Sequence, residues 1–182
     1  MMKNILVLTG SHRKGGNSDK LADAFIRGAQ QAGHNVTRFS TADKNLKGCI
    51  GCGTCFSKGT ACSVPDDFSN LAPLLEAADM LVFATPVYWF TFPAPLKAAI
   101  EKLFAYFSTK RPLKIKSCAL LCCGGSWPEE SKYDGIIKTY LLTAQLMEWQ
   151  DKGIIIANNT ENKDDILSTD GLQRAEALGR SL

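Results

Sequence analysis

The sequence predicts one doubly wound α/β domain, a five-stranded parallel sheet with helices on both faces. Three observations carry this. Five short apolar runs alternate with segments of helical period, and such alternation builds a mainly parallel sheet covered on both sides. Two of the runs, 3–9 and 117–123, have unbroken apolar centres (ILVL and CALLCC), as strands buried on both faces do. The length of 182 residues suits one unit, taken as a single domain over 1–182.

Residues 3–9 (KNILVLT) are too short for a helix and stop at Gly10, so they read as the first strand. Over 18–32 the residues Leu21, Ala22, Phe25, Ala29 and Ala32 share a helical face, with Asn17 or Ser18 as the start cap and Gly33 as the end. Val36–Phe39 is a weaker strand, and 40–65 lacks a period. A helix over 66–78 and a strand over 80–85 follow. Pro95 suits the first turn of a helix that runs to Phe107. The strand 117–123 precedes a helix over 132–148, a strand over 153–157 and a last helix over 170–180.

Hydrophobic residues make up 45% of the chain and the net charge is +3, which asks for neither nucleic acid nor a membrane surface. The densest basic stretch, 108–116, reads as a solvated link before a strand. No run approaches a membrane span, and the N-terminus lacks the long apolar region of a signal peptide, so a cytoplasmic protein is expected. In a reducing compartment its seven cysteines are free, metal-binding or redox-active rather than paired.

Ligands of doubly wound sheets sit beyond the C-terminal strand ends, where the strand order reverses. The loop Gly10–Ser18 suits a phosphate monoester: its glycines turn backbone N–H groups outward and a helix start adds positive potential. Ser11, Asn17 and Ser18 add neutral donors and Arg13 a forked cation. The loop Thr85–Phe92 gathers Tyr88, Trp89 and Phe90 at a strand end, a surface for a flat ring. In Cys122–Pro128, Gly124 and Gly125 permit close backbone approach to such a ring. Of the two histidines, His12 lies in the phosphate loop and His34 is expected at the surface. No side-chain acid or base stands out as catalytic.

These residues resemble the NADPH-dependent FMN reductase family of flavodoxin-like proteins. Gly10–Ser18 looks like its G-S-x-R-x-x-G-N-S loop, residues 78–89 (ADMLVFATPVYW) like its third strand and flavin loop, and 95–102 (PLKAAIEK) like the following helix. Glu101 and Lys102 stand where the family has Asp-Arg. The resemblance implies strand order 2-1-3-4-5 and FMN, with Ser11, Arg13, Asn17 and Ser18 at the phosphate. Pro86, Val87, Tyr88 and Trp89 would line the isoalloxazine. It also implies NAD(P)H as co-substrate, a small-molecule or protein electron acceptor, and a homo-oligomer.

Cys49, Cys52, Cys55 and Cys62 are spaced C-x₂-C-x₂-C-x₆-C, similar to the compact motif of iron–sulfur flavoproteins. Three readings stay open: a [4Fe–4S] cluster, free or redox-active thiols, and zinc. Cys118, Cys122 and Cys123 lie on a strand and read as core. The leading function is an FMN-dependent oxidoreductase. The alternatives are an iron–sulfur flavoprotein relaying single electrons between proteins and a non-redox module that binds a phosphoryl ligand.

Overall fold

A computed structural model describes residues 1–126 and 130–182. The strands are β1 (Asn4–Thr9), β2 (Asn35–Ser40), β3 (Met80–Pro86), β4 (Ser117–Cys123) and β5 (Gln150–Ala157). They form one parallel sheet in the order β2-β1-β3-β4-β5. The helices are α1 (Asn17–Gln31), α2 (Phe68–Ala77), α3 (Ala94–Glu101), α4 (Phe104–Ser108), α5 (Asp134–Leu146) and α6 (Gly171–Arg180). This is the predicted flavodoxin-like topology. No helix among the described residues is long and apolar enough to cross a membrane.

Alternate strand residues feed two cores. Leu6, Leu8, Leu81, Phe83 and Leu120 pack against α2, α3, α4 and α5. Ile5, Val7, Val82, Ala119 and Leu121 pack beneath α1 and α6. Those two helices touch through glycine. A Cβ on Gly28 would lie 2.0 Å from the Glu176 carbonyl oxygen, and one on Gly179 2.3 Å from that of Phe25. As expected, Cys118, Cys122 and Cys123 are buried in this sheet. Burial pushes the thiols of Cys118 and Cys123 up to about 11.

Four expectations need correction. Gly16, not Asn17 or Ser18, is the N-cap of α1, and it offers no side-chain cap. The other end is as read: Gly33 adopts φ +84°, and Gly33 and His34 donate back to Gln30 and Ala29. The helix expected from Pro95 to Phe107 breaks at Lys102–Leu103 into α3 and α4. The helix expected over 132–148 opens with a tight turn at Glu130–Tyr133 and ends at Leu146. His34 is buried, not on the surface, because the chain folds Lys3 and the C-terminus over it. That burial, with Lys3 nearby, lowers its pKa.

The break after α3 serves the long loop that follows β2. Glu101 accepts the backbone N–H of Cys49 at 3.1 Å. Lys102 turns inward and forms an ion pair with Asp66, both side chains being buried. Asp66 also accepts the N–H of Lys47 at 2.8 Å and of Phe68 at 3.0 Å. The two positions that depart from the family pattern therefore clasp both ends of the cysteine loop.

Candidate functional site

The ends of β1, β3, β4 and β5 open onto a trough with two halves. The first, ≈ 360 Å³, is lined by the loop after β1, by Pro86–Tyr88, by Cys123–Gly125 and by Thr160, Glu161 and Lys163 after β5. The second, ≈ 320 Å³, lies against Trp89, Phe90, Lys132 and Tyr133. Val87, Gly124, Gly125 and Glu161 belong to both. The trough flanks the β1–β3 junction, where the strand order reverses.

The first half is built for an anion. Gly15 takes φ +65° and its N–H is held by Asp19 at 2.8 Å, which curls the loop ahead of α1. Arg38 on β2 fixes Asp19 in turn, at 2.5 Å. Ser11 Oγ accepts from the backbone N–H of Arg13 at 3.0 Å. Gly16, Asn17 and Ser18 present the start of α1 to the cavity, where first-turn N–H groups lack helical partners. Ser18 is 2% exposed and its hydroxyl has no hydrogen-bond partner among the described residues. A buried orphan donor in the wall of a basic cavity fits an absent acceptor. Arg13, Lys14 and Lys163 supply the positive charge.

Asn17 plays another part. Its amide donates to the carbonyls of Thr160 (3.1 Å) and Asn162 (2.7 Å), and its Oδ1 accepts from Ile166 N–H. The side chain is thereby committed to holding the loop after β5 against α1. Arg13 reaches the same loop, donating to the Glu161 carbonyl at 3.3 Å.

The second half is built for a flat ring. Tyr88 and Thr91 exchange backbone hydrogen bonds at 3.0 and 3.1 Å, closing a tight turn over Trp89 and Phe90. Both central residues have positive φ, +47° and +68°. This is the type I′ geometry that ordinarily selects Asn-Gly; bulky residues there store strain. Gly135 holds the turn from below, since a Cβ there would lie 2.4 Å from the Phe90 carbonyl oxygen. Trp89 is 91% exposed. Across the trough, Val87 N–H donates to Cys123 O at 2.9 Å, tying the aromatic loop to the end of β4. A Cβ on Gly124 would press on the Tyr133 hydroxyl, and one on Gly125 on Glu161. Trp127 and Pro128 of this loop lie outside the described residues.

Sequence reasoning missed the loop after β5 and the turn before α5. Thr160 and Glu161 line the trough, and Lys132, Tyr133 and Asn158 form a hydrogen-bonded floor. The signal was a polar run, NNTENK over 158–163, at a C-terminal strand end.

A larger cavity, ≈ 490 Å³, lies between α2 and the link after α4. None of the loops after β1, β3, β4 and β5 lines it, and Arg111 in its wall is already stacked on Phe56 at 4.4 Å. The trough is the better site.

The four loop cysteines line one small pocket, ≈ 20 Å³, with Ile50, Val64 and Phe104. None of them lines the trough. Hydrogen bonds involving Thr54 and Ser63 lower the pKa of the exposed Cys52 thiol. Among the described residues no group of three or more His, Cys, Asp or Glu is arranged to hold a metal ion.

The fold has clear relatives. An NAD(P)H:quinone oxidoreductase from Methanothermobacter marburgensis superposes with a TM-score of 0.71 at 20% identity, covering 100% of this chain and 96% of that one. An iron-sulfur flavoprotein of Archaeoglobus fulgidus is 36% identical over 105 residues, 58% of this chain and 47% of its own length. One of Methanosarcina thermophila is 31% identical over 119 residues, 65% of this chain and 62% of its own. The chain thus spans about half to three fifths of the length of these two relatives. The model of the NADPH-dependent FMN reductase family matches residues 3–130. The chain belongs to the NADPH-dependent FMN reductase family.

Proposed function

We propose that the chain is an FMN-dependent oxidoreductase that takes electrons from NAD(P)H and passes them to a small-molecule or protein acceptor. The carrying observation is one trough with an anion cradle at one end and a strained aromatic turn at the other. That is the shape of a phosphorylated flat ring. Ser18, Arg13 and the start of α1 hold the phosphate; Ser11 shapes the loop and Asn17 holds its far wall. Pro86, Val87, Tyr88 and Trp89 bound the ring on one side, Gly124 and Gly125 on the other. FMN, when bound, supplies the redox chemistry, and the chain's residues bind, orient and shield it. Trp89, free on its turn, covers the ring or the donor laid over it. Exposed Phe104, Phe107, Leu142 and Leu146 suit a homo-oligomer, and seven free cysteines suit a cytoplasmic protein. The test is the visible spectrum of pure protein, then bleaching by NADPH or NADH without air. A colourless protein that stays colourless with added FMN ends this reading.

The pocket shared by Cys49, Cys52, Cys55 and Cys62 supports a second reading, a [4Fe–4S] site that relays single electrons. Cysteine thiolates are the donor type such a cluster takes, and the four line one pocket although, among the described residues, they are not gathered as metal ligands in this structure. Glu101 and the Lys102–Asp66 pair hold the two ends of that loop. Anaerobic purification with iron and sulfide analysis decides it; protein never exposed to oxygen and free of sulfide rules the cluster out.

A further inference from the structure

Lys132 puts a charge in an apolar wall. Its side chain is buried, yet it lines the ring half of the trough beside Trp89, Phe90 and Tyr133. The ammonium donates to the Gly125 carbonyl at 2.9 Å and to Asn158 Oδ1 at 2.6 Å, and it lies 5.2 Å from the Tyr133 ring centroid. Tyr133 donates to the same Asn158 oxygen at 3.2 Å. The cation is thus fixed by three segments: the turn before α5, the loop after β4 and the loop after β5.

A fixed charge in a poorly hydrated wall acts on a ligand far more strongly than one in water. We propose that Lys132 stabilises the reduced flavin over the oxidised flavin and so sets the driving force for electron uptake. This rests on the reading of the trough as an FMN site. Hydride transfer from NAD(P)H leaves NAD(P)⁺ and adds two electrons and one proton to the flavin, a gain of one negative charge. A neighbouring cation favours that charge gain. Glu161 is the other charged residue described in this half of the trough. It opposes Lys132, but it is exposed and water screens it, whereas Lys132 is buried.

The experiment titrates apo-protein with oxidised FMN and, anaerobically, with dithionite-reduced FMN. Lys132→Met is expected to weaken reduced FMN about tenfold more than oxidised FMN, a shift of about 30 mV in the two-electron potential. Lys132→Arg keeps the ratio of the two affinities near that of the parent chain. Asn158→Ala loosens the frame but keeps the charge, and lowers both affinities together. If Lys132→Met does not fold, Lys132→Gln carries the same comparison. Equal weakening of both forms, or no change in either, overturns the proposal. Failure of the parent chain to bind FMN at all overturns the underlying site reading instead.

Discussion

The Glu161 carboxylate accepts two hydrogen bonds from Ser126, from the backbone N–H at 3.0 Å and from the hydroxyl at 2.7 Å. It thereby joins the loops after β4 and β5 across the trough, and its Cγ occupies the space that a Cβ on Gly125 would enter, at 2.7 Å. Gly125→Val pushes Glu161 aside and narrows the wall shared by both halves. FMN binding should weaken by more than about tenfold, roughly 1.4 kcal/mol, with the fold intact by circular dichroism. Equal affinity in an apo-protein titration would place the ring elsewhere.

Ser18 and Arg13 should separate binding from stability. The Ser18 hydroxyl is buried and has no partner among the described residues, so Ser18→Ala removes an unsatisfied group and leaves the melting temperature unchanged or higher. The same change should weaken FMN by about 1 kcal/mol, one hydrogen bond. Arg13→Ala should weaken it by about 1.5–3 kcal/mol, the scale of a charge-assisted bond. A loss of stability without loss of affinity in Ser18→Ala would show that the hydroxyl serves the fold.

The Trp89–Phe90 turn should trade stability for function. Replacing both by Asn-Gly relieves positive φ at two bulky residues, worth about 1–2 kcal/mol each. The apo-protein should melt higher while flavin fluorescence and NAD(P)H turnover change. Unchanged turnover would remove these aromatics from the site.

The Lys102–Asp66 pair should make the clasp on the cysteine loop sensitive to acid. Burial pushes the Asp66 pKa up, but the Lys102 ammonium and two backbone N–H groups hold it below its ordinary 3.8. The folded chain therefore binds this proton less tightly than the unfolded chain does. The stability it gives is complete above the ordinary carboxylate range and is lost as pH falls through the depressed value. Lys102→Met leaves a buried carboxylate alone and should cost about 3–5 kcal/mol. Urea midpoints of the parent chain and of Lys102→Met at pH 7 and below about pH 3 check both statements, the gap between the two chains closing in acid; a midpoint at pH 7 equal to that of the parent chain would refute the second.

Much of this was legible because parallel strands advertise themselves. The runs ILVLT and SCALLCC have no polar face to hide, and the loops after them must lie on one edge. Position after β1 marked Ser11, Arg13 and Ser18. Asn17 was legible as a site residue but not as a tether, because its partners, Thr160, Asn162 and Ile166, are more than a hundred residues away in sequence. Glu161 and Lys132 were invisible for the same reason. His34 read as exposed because its cover comes from Lys3 and the C-terminus, which no local pattern announces. The break after α3 was hidden by a continuous helical period; the buried pairing of Lys102 with Asp66 accompanies it.

A phosphate cradle joined to a ring site is tested most directly by calorimetric titration of apo-protein with FMN and with riboflavin. The two ligands share the ring and differ by the phosphate. FMN should bind about a hundredfold tighter, roughly 2.8 kcal/mol, and Arg13→Ala should close most of that gap while leaving riboflavin unaffected. Equal affinity for the two flavins, or a gap that Arg13→Ala leaves untouched, would contradict the assignment of the trough.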